Sequence, residues 1–296
     1  MDKQASSTLP AFDEFWNFAD PAATEAKFRE LLPRAREAGD PGYVAELQTQ
    51  IARTQGLQQR YTEASATLDE VEKSLKPDMK TARVRSLLER GRVLNSSGKP
   101  SESVPIFESA LRSAQEFGLQ YYAIDAAHML GIATKNEESL KWNQEGIRLA
   151  EAATDARGRR WLGPLYNNTA WTYFDMGKYA EALAVFERDI EFRKQNGSNV
   201  EVGIARWSAA KMLRHLGRVE ESLRLQMALL EDPDRKGNDA EGYTHEEIGE
   251  CLLLLRRPSE ATQHFARAWE LLHEDPWLRQ DDPARLARLK KLGKVN

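Results

Sequence analysis

Five histidines, one cysteine and a short run of arginines are the residues of this chain with the most chemistry to offer. The histidines are His128, His215, His245, His264 and His273. Two imidazoles a helical turn apart with a glutamate between them would hold zinc beside a general base, but no H-E-x-x-H string occurs. The nearest string, His245-Glu246-Glu247-Ile248-Gly249-Glu250, lacks the second histidine. Glu260 and His264 stand four apart, which is the spacing of a surface pair on one helix rather than of a metal site. Cys251 lies in an apolar run from Ile248 to Leu255 with no partner constellation for nucleophilic catalysis, so it reads as a small buried hydrophobe. The glycines fall singly at turns, and neither G-x-x-x-x-G-K nor G-x-S-x-G appears. Arg157, Arg159 and Arg160 beside Trp161 could grip a phosphate or carboxylate. The plainer reading of residues 155–164 is a polar loop with Trp161 tucked against the next hairpin. These residues predict no enzyme, no cofactor and no metal.

Charge and composition narrow the classes further. The 296 residues carry a net charge of -4, so no global basic field points to nucleic acid. No window approaches the roughly 20 apolar residues that a bilayer-spanning helix needs. The opening MDKQASSTLPAFDEF lacks an apolar stretch of signal-peptide length. The expectation is a cytoplasmic protein that binds neither nucleic acid nor membrane. A lone cysteine excludes an intramolecular disulfide.

The elements that position these residues repeat. LYNNTAWTYFDMGKYAEALAVFERDIEF holds a small residue at Ala170, Tyr173, a turn glycine at Gly177, then Tyr179, Ala182 and Phe186. The same spacing fits Gly91, Leu94, Gly98, Ser103, Phe107 and Ala110, and again Ala210, Leu213, Gly217, Ser222 and Leu229. Gly249, Leu252, Ala261, Phe265 and Ala268 follow, with Pro258 at the turn, and a weaker copy has Ala52, Tyr61, Ala64 and Leu68. The large residue of the second helix falls at Phe28, Leu68, Phe107, Asn143, Phe186, Gln226 and Phe265, at intervals of 40, 39, 36, 43, 40 and 39 residues. The 36-then-43 pair implies a turn shortened near Lys135-Asn136 and a longer loop after Asp155. Apolar residues three and four apart predict amphipathic helices, and one hairpin cannot bury its faces without its neighbours. No strand signal is present.

This spacing resembles the tetratricopeptide repeat over roughly Phe12 to Leu272, in a long unit similar to those of kinesin light chains and bacterial peptide-pheromone sensors. The resemblance implies an all-α fold, a right-handed superhelical α-solenoid of about seven hairpins. Residues 1–10 are expected to be disordered, 11–280 to form the solenoid and 281–296 a capping helix, with a short first helix from Phe12 to Phe18. The basic side of that capping helix, Arg285, Arg288 and Lys291, reads as a solvated face.

In the family the first helices of successive repeats line a concave groove, at positions three and two before the small residue and one after it. Transferred here, that geometry implies a peptide-binding groove of Arg53, Glu89, Arg92, His128, Asn167, Asn168, Trp171, Trp207, Lys211, Glu247 and Glu250, with Glu246 beside them. A register shifted by one residue would instead make Trp207 a core residue. The groove reads as basic at one end, amide-rich and aromatic in the middle, and acidic at the other. Asn168 and Lys211 supply only two elements of the clamp by which some family members hold chaperone C-termini.

The function implied is a non-catalytic scaffold or adaptor that binds a segment of another protein or a peptide. The alternatives are a ligand-responsive regulator of the peptide-sensor kind and a self-assembly subunit, and the oligomeric state is left open. The register itself is testable: Phe186→Ala should cost ~3–5 kcal/mol in chemical denaturation if the ring is buried as the spacing implies, whereas a near-neutral value would overturn the register.

Overall fold

The computed structural model describes residues 9–233 and 236–295. Residues 1–8, most of the segment expected to be disordered, lie outside it. The chain divides into two units, Met1–Trp161 and Leu162–Asn296. Among the described residues there are helices and turns but no strand.

Unit one opens with a 3-10 turn over Phe12–Phe15, shorter than the helix expected from Phe12 to Phe18, followed by α1 (Pro21–Glu37). Three hairpins follow: α2 (Pro41–Leu57) with α3 (Tyr61–Ser74), α4 (Lys80–Ser96) with α5 (Pro100–Glu116), and α6 (Gln120–Ala133) with α7 (Asn136–Glu151). The segment 155–164 is not a plain loop. Asp155 accepts the Gly158 N–H at 2.6 Å and caps the short helix α8 (Ala156–Arg159), the last element of this unit.

Unit two holds α9 (Leu162–Asp175) with α10 (Tyr179–Asn196), α11 (Asn199–His215) with α12 (Val219–Leu229), and α13 (Asp239–Leu254) with α14 (Pro258–Leu272). Two short helices, α15 (Pro276–Asp281) and α16 (Pro283–Leu292), complete it.

The sequence dictates the helix ends. Pro21 and Pro41 follow Asp20 and Asp40, whose carboxylates accept the N–H groups of Ala23 and Tyr43 at 2.9 Å. Proline at a first turn surrenders no needed donor, and the aspartate satisfies one that is otherwise orphaned. Ser198 and Glu201 form a reciprocal capping box at α11. Between the paired helices the chain needs a positive φ, supplied by Gly98, Gly177 and Gly217 at +82°, +72° and +77°. In the shortened turn of α6–α7 it falls on Asn136.

Each hairpin closes on one contact between its two helices. Phe107, Phe186 and Phe265 are fully buried, each against the small residue of the preceding helix. At Gly249 an added Cβ would lie 2.8 Å from the Phe265 ring, so these helices touch closer than alanine permits. Asn143 and Gln226 occupy the same position in their hairpins and are as fully buried. Ser139 donates to the Gly131 carbonyl at 2.7 Å and receives the Asn143 amide at 3.3 Å. Gln226 donates to the Trp207 carbonyl at 3.3 Å. Bonds to the facing helix are thus made by Ser139 and Gln226, whereas Asn143 bonds within its own helix and the amide oxygens of Asn143 and Gln226 stay unpartnered among the described residues. Cys251 is buried as expected, with its thiol 3.4 Å from Ser222 Oγ and its pKa raised by burial.

Helix α16 packs Leu289 into the cluster of Phe265, Ala268, Leu272 and Leu278. Gly293 sits so near the Ala266 backbone that a Cβ would fall 2.6 Å from it. Its Arg285 and Arg288 are not a solvated face: they pair with Glu246 and Glu250. The close contact at Gly249 predicts that Gly249→Ala lowers stability by ~1–3 kcal/mol in urea unfolding, with no loss expected if the two helices could simply move apart.

Candidate functional site

The free face of each unit is made by the first helices of its hairpins, and one stripe on each helix carries the polar and aromatic side chains. The stripe has the spacing of a helix face: Glu46, Gln50 and Arg53 on α2; Arg85, Glu89 and Arg92 on α4; Tyr121, Asp125 and His128 on α6. In unit two it runs Asn168 and Trp171 on α9, Val200, Ile204, Trp207 and Lys211 on α11, and Tyr243, Glu247 and Glu250 on α13.

In unit one these stripes enclose a cavity of about 280 Å³. Its walls are Arg53, Arg85, Glu89, Arg92, Tyr121, Tyr122 and Asp125, together with Arg157 and Trp161 from the chain around α8. The remaining wall is the chain's own N-terminal segment, which contributes Asp13, Trp16 and Phe18. Asp13 takes both terminal nitrogens of Arg85, and Arg85 Nε donates to the Tyr122 hydroxyl at 2.8 Å. The Trp16 indole donates to Gln50 at 3.2 Å and stacks on Phe18 at 4.7 Å. Glu89 binds Arg53 at 3.3 Å and Arg92 at 2.7 Å, and Arg92 also binds Asp125. Burial works against the Asp125 carboxylate, but Arg92 and Arg53 outweigh it and hold its pKa below the usual range. Glu46, 3.4 Å from Arg85, goes the other way: burial raises it more than Arg85 lowers it.

His128 lies beside this network with its ring 4.9 Å from Trp161. Its Nδ1 is buried without a hydrogen-bond partner among the described residues. Trp161 packs on α6, within its own unit, through His128 and Tyr121.

In unit two Trp207 stands between Trp171 and Tyr243, with ring centroids at 6.4 and 6.2 Å, and its indole donates to the Tyr243 carbonyl at 3.3 Å. Trp171 also packs edge-on against Phe186 at 5.5 Å. Asn167 and Asn168 are half-buried, and their side-chain amides bond to nothing among the described residues. Val200 and Ile204 on the α11 stripe are 52% and 46% exposed. Glu247 is buried between Lys211 at 2.9 Å and Arg214 at 2.7 Å. Burial pushes its carboxyl up, yet the two cations prevail and keep its pKa low.

Of the eleven positions expected to line a groove, Arg53, Glu89 and Arg92 meet in the cavity of unit one, with His128 behind it. Trp171, Trp207 and Lys211 gather in unit two, while Asn167 and Asn168 sit half-buried on the same helix as Trp171, four and three residues before it. Glu247 is engaged with Lys211 and Arg214, while Glu250 is taken by Arg288 of α16. Asp13, Arg85, Tyr121, Asp125 and Arg157 line the cavity as well but were not singled out for it. Arg85, Tyr121 and Asp125 were discoverable, because they continue the stripes three and seven residues toward each helix N-terminus. Asp13 was not, since no periodicity links it to α4. Among the described residues no group of three His, Cys, Asp or Glu side chains could hold a metal ion, and no helix is long and apolar enough to cross a membrane.

Comparison with known proteins bears on the fold. Residues 165–196, the α9–α10 hairpin, match a tetratricopeptide repeat family model. No curated protein sequence matches the chain. Among solved structures, the chain is similar to a signal-transduction ATPase with numerous domains from Pyrococcus horikoshii that carries a tetratricopeptide repeat sensor. The TM-score is 0.72 at 15% identity, covering 95% of this chain and 44% of that one, so the chain spans less than half of the ATPase. The apo quorum sensor NprR of B. thuringiensis gives 0.65 at 16% identity, covering 95% of this chain and 79% of the sensor. Repeats of a putative kinesin light chain from Podospora anserina give 0.52 at 16% identity, covering 68% and 94%. At such identities the likeness is one of fold. The fold is that of tetratricopeptide-repeat proteins, and its neighbours include both the peptide-sensor and kinesin-light-chain kinds.

The His128 environment generates a pH prediction. Burial, with a smaller opposing pull from Asp125, lowers its pKa from 6.5 to about 4. The unfolded chain therefore takes up this proton first, and stability is lost as pH falls from about 6.5 toward 4. Urea unfolding of His128→Gln should show a shallower acid loss than the parent across that window. Parallel pH profiles would remove His128 as the cause.

Proposed function

We propose that this protein is a non-catalytic interaction scaffold that binds an extended segment of a partner protein or peptide along the first-helix face of unit two. The observation that carries the reading is the pair of unused amides at Asn167 and Asn168 on the helix of Trp171, whose ring meets Trp207 of the next first helix. An Asn side chain offers one donor group and one acceptor, which matches a peptide backbone unit. Trp171 and Trp207 supply rigid apolar area, and tryptophan contributes strongly to binding at such surfaces. Val200 and Ile204 extend that apolar area along α11.

The charged positions play a different part. Lys211 and Glu247 already satisfy each other, so a partner gains little from either without breaking a buried pair. Recognition is then by backbone hydrogen bonds and apolar side chains rather than by ion pairing. The quorum sensor of similar fold has also been solved in complex with its cognate peptide, which supports a peptide as the class of ligand.

The test compares the parent with an Asn167→Ala, Asn168→Ala, Ile204→Glu variant of matched thermal stability, by affinity enrichment and mass spectrometry. Overlapping synthetic peptides from each captured protein then locate the bound segment. The expected result is capture by the parent, at least about tenfold loss in the variant, and a change in tryptophan emission on adding the peptide. Equal capture by both proteins would move the binding surface elsewhere.

A further inference from the structure

The cavity of unit one has a chemistry of its own, and we propose that it is a binding site for a small aromatic carboxylate. Its volume of about 280 Å³ is at the small end of ligand pockets, enough for one ring system and its acid group.

Two of its arginines are only partly used. Arg53 reaches Glu89 through Nη1 alone, at 3.3 Å, so Nε and Nη2 have no acceptor among the described residues. Arg157 stands 3.7 Å from Asp13, beyond hydrogen-bonding distance. Each is also packed against aromatic rings, in addition to its ion pair with Glu89 or Asp13. The Arg53 guanidinium lies 5.8 Å from the Trp16 centroid and 5.7 Å from that of Phe18, and Arg157 lies 3.8 Å from Tyr121. Stacking occupies the flat face of a guanidinium and leaves its in-plane N–H groups free for an acceptor.

The chain already shows the matching recognition once, where both carboxylate oxygens of Asp13 meet the two terminal nitrogens of Arg85. A second carboxylate in the cavity would find the unused N–H groups of Arg53 and Arg157 among its lining. The other walls decide which anion fits. Glu89 and Asp125 share the cavity and oppose a dianion such as phosphate, whereas Arg53 and Arg157 suffice for one negative charge. Tyr121 and Trp161, 5.8 Å apart and tilted 56° to one another, give the ring of the ligand an aromatic corner to pack into. The site shares no residue with the Asn167, Asn168 and Ile204 surface, so the two readings stand or fall separately.

The experiment titrates the full chain with benzoate and indole-3-acetate, and with the neutral benzamide and indole-3-acetamide, by calorimetry. The acids are expected to bind, and the amides to bind about tenfold more weakly or worse, because only the acids form charge-assisted bonds to arginine. Arg157→Gln alters a side chain that is 56% exposed and leaves the fold intact; Arg53→Gln is the second variant. Each should weaken the acids by about tenfold and leave the amides unchanged. Equal affinity for acids and amides, acid binding indifferent to both substitutions, or no heat with either acid at millimolar concentration would each overturn the proposal.

Discussion

In every hairpin one large side chain presses against one small residue of the preceding helix, and the rest of the architecture follows from how closely that contact lets the helices approach. Phe107 against Gly91 and Phe265 against Gly249 come closer than a methyl group would permit. Phe186 meets Ala170 instead, and the hairpin closes equally well. Burying such a ring stabilises each hairpin by roughly 1.5–3 kcal/mol. The same contact fixes the rotation of the first helix about its axis. Once the small residue faces inward, the residues two before and one after it are turned roughly 100–160° away from it, and that is why the polar and aromatic stripes exist.

The contact tolerates polar substitutes when they are bonded. Asn143 and Gln226 fill the phenylalanine position in two hairpins, where Ser139 and the Trp207 carbonyl receive their amides. A buried amide without any partner would cost several kcal/mol. Here each NH2 group is bonded, Asn143 to Ser139 of its own helix and Gln226 to the facing helix, while Asn143 Oδ1 and Gln226 Oε1 have no partner among the described residues. Packing and hydrogen bonding are thus interchangeable at this point, within the limit that the position stays filled.

On the free face, charge is largely consumed by the chain itself. Glu89 is shared by Arg53 and Arg92, Glu247 by Lys211 and Arg214, and Glu246 and Glu250 by Arg285 and Arg288 of the terminal helix. Buried carboxylates need such partners to offset the loss of hydration. Among the described residues of that face, groups left with unused capacity include the amides of Asn167 and Asn168, His128 Nδ1 and the edges of Arg53 and Arg157. The two proposed sites, one for extended chain and one for a small acid, draw on different members of this set.

The hairpins, their turns and the identity of the inward residues were legible in the sequence, because they are set by local spacing that a helix imposes on its own residues. Phe186 and Phe265 could be assigned to the core from their intervals alone, and Gly98, Gly177 and Gly217 to turns from the positive φ those turns require. The helix over Ala156–Arg159 escaped because its capping bond is made by Asp155 within a segment that has no apolar period. The stripe on the free face was legible in part, by extending each helix face a further turn. The pairings across that face were not. Arg85 with Asp13 and Glu250 with Arg288 join residues far apart in sequence, and electrostatic attraction leaves no periodic trace along a chain. Local sterics specify which way a side chain points; only the folded chain decides which opposite charge is waiting there, and therefore which groups remain free to bind anything else.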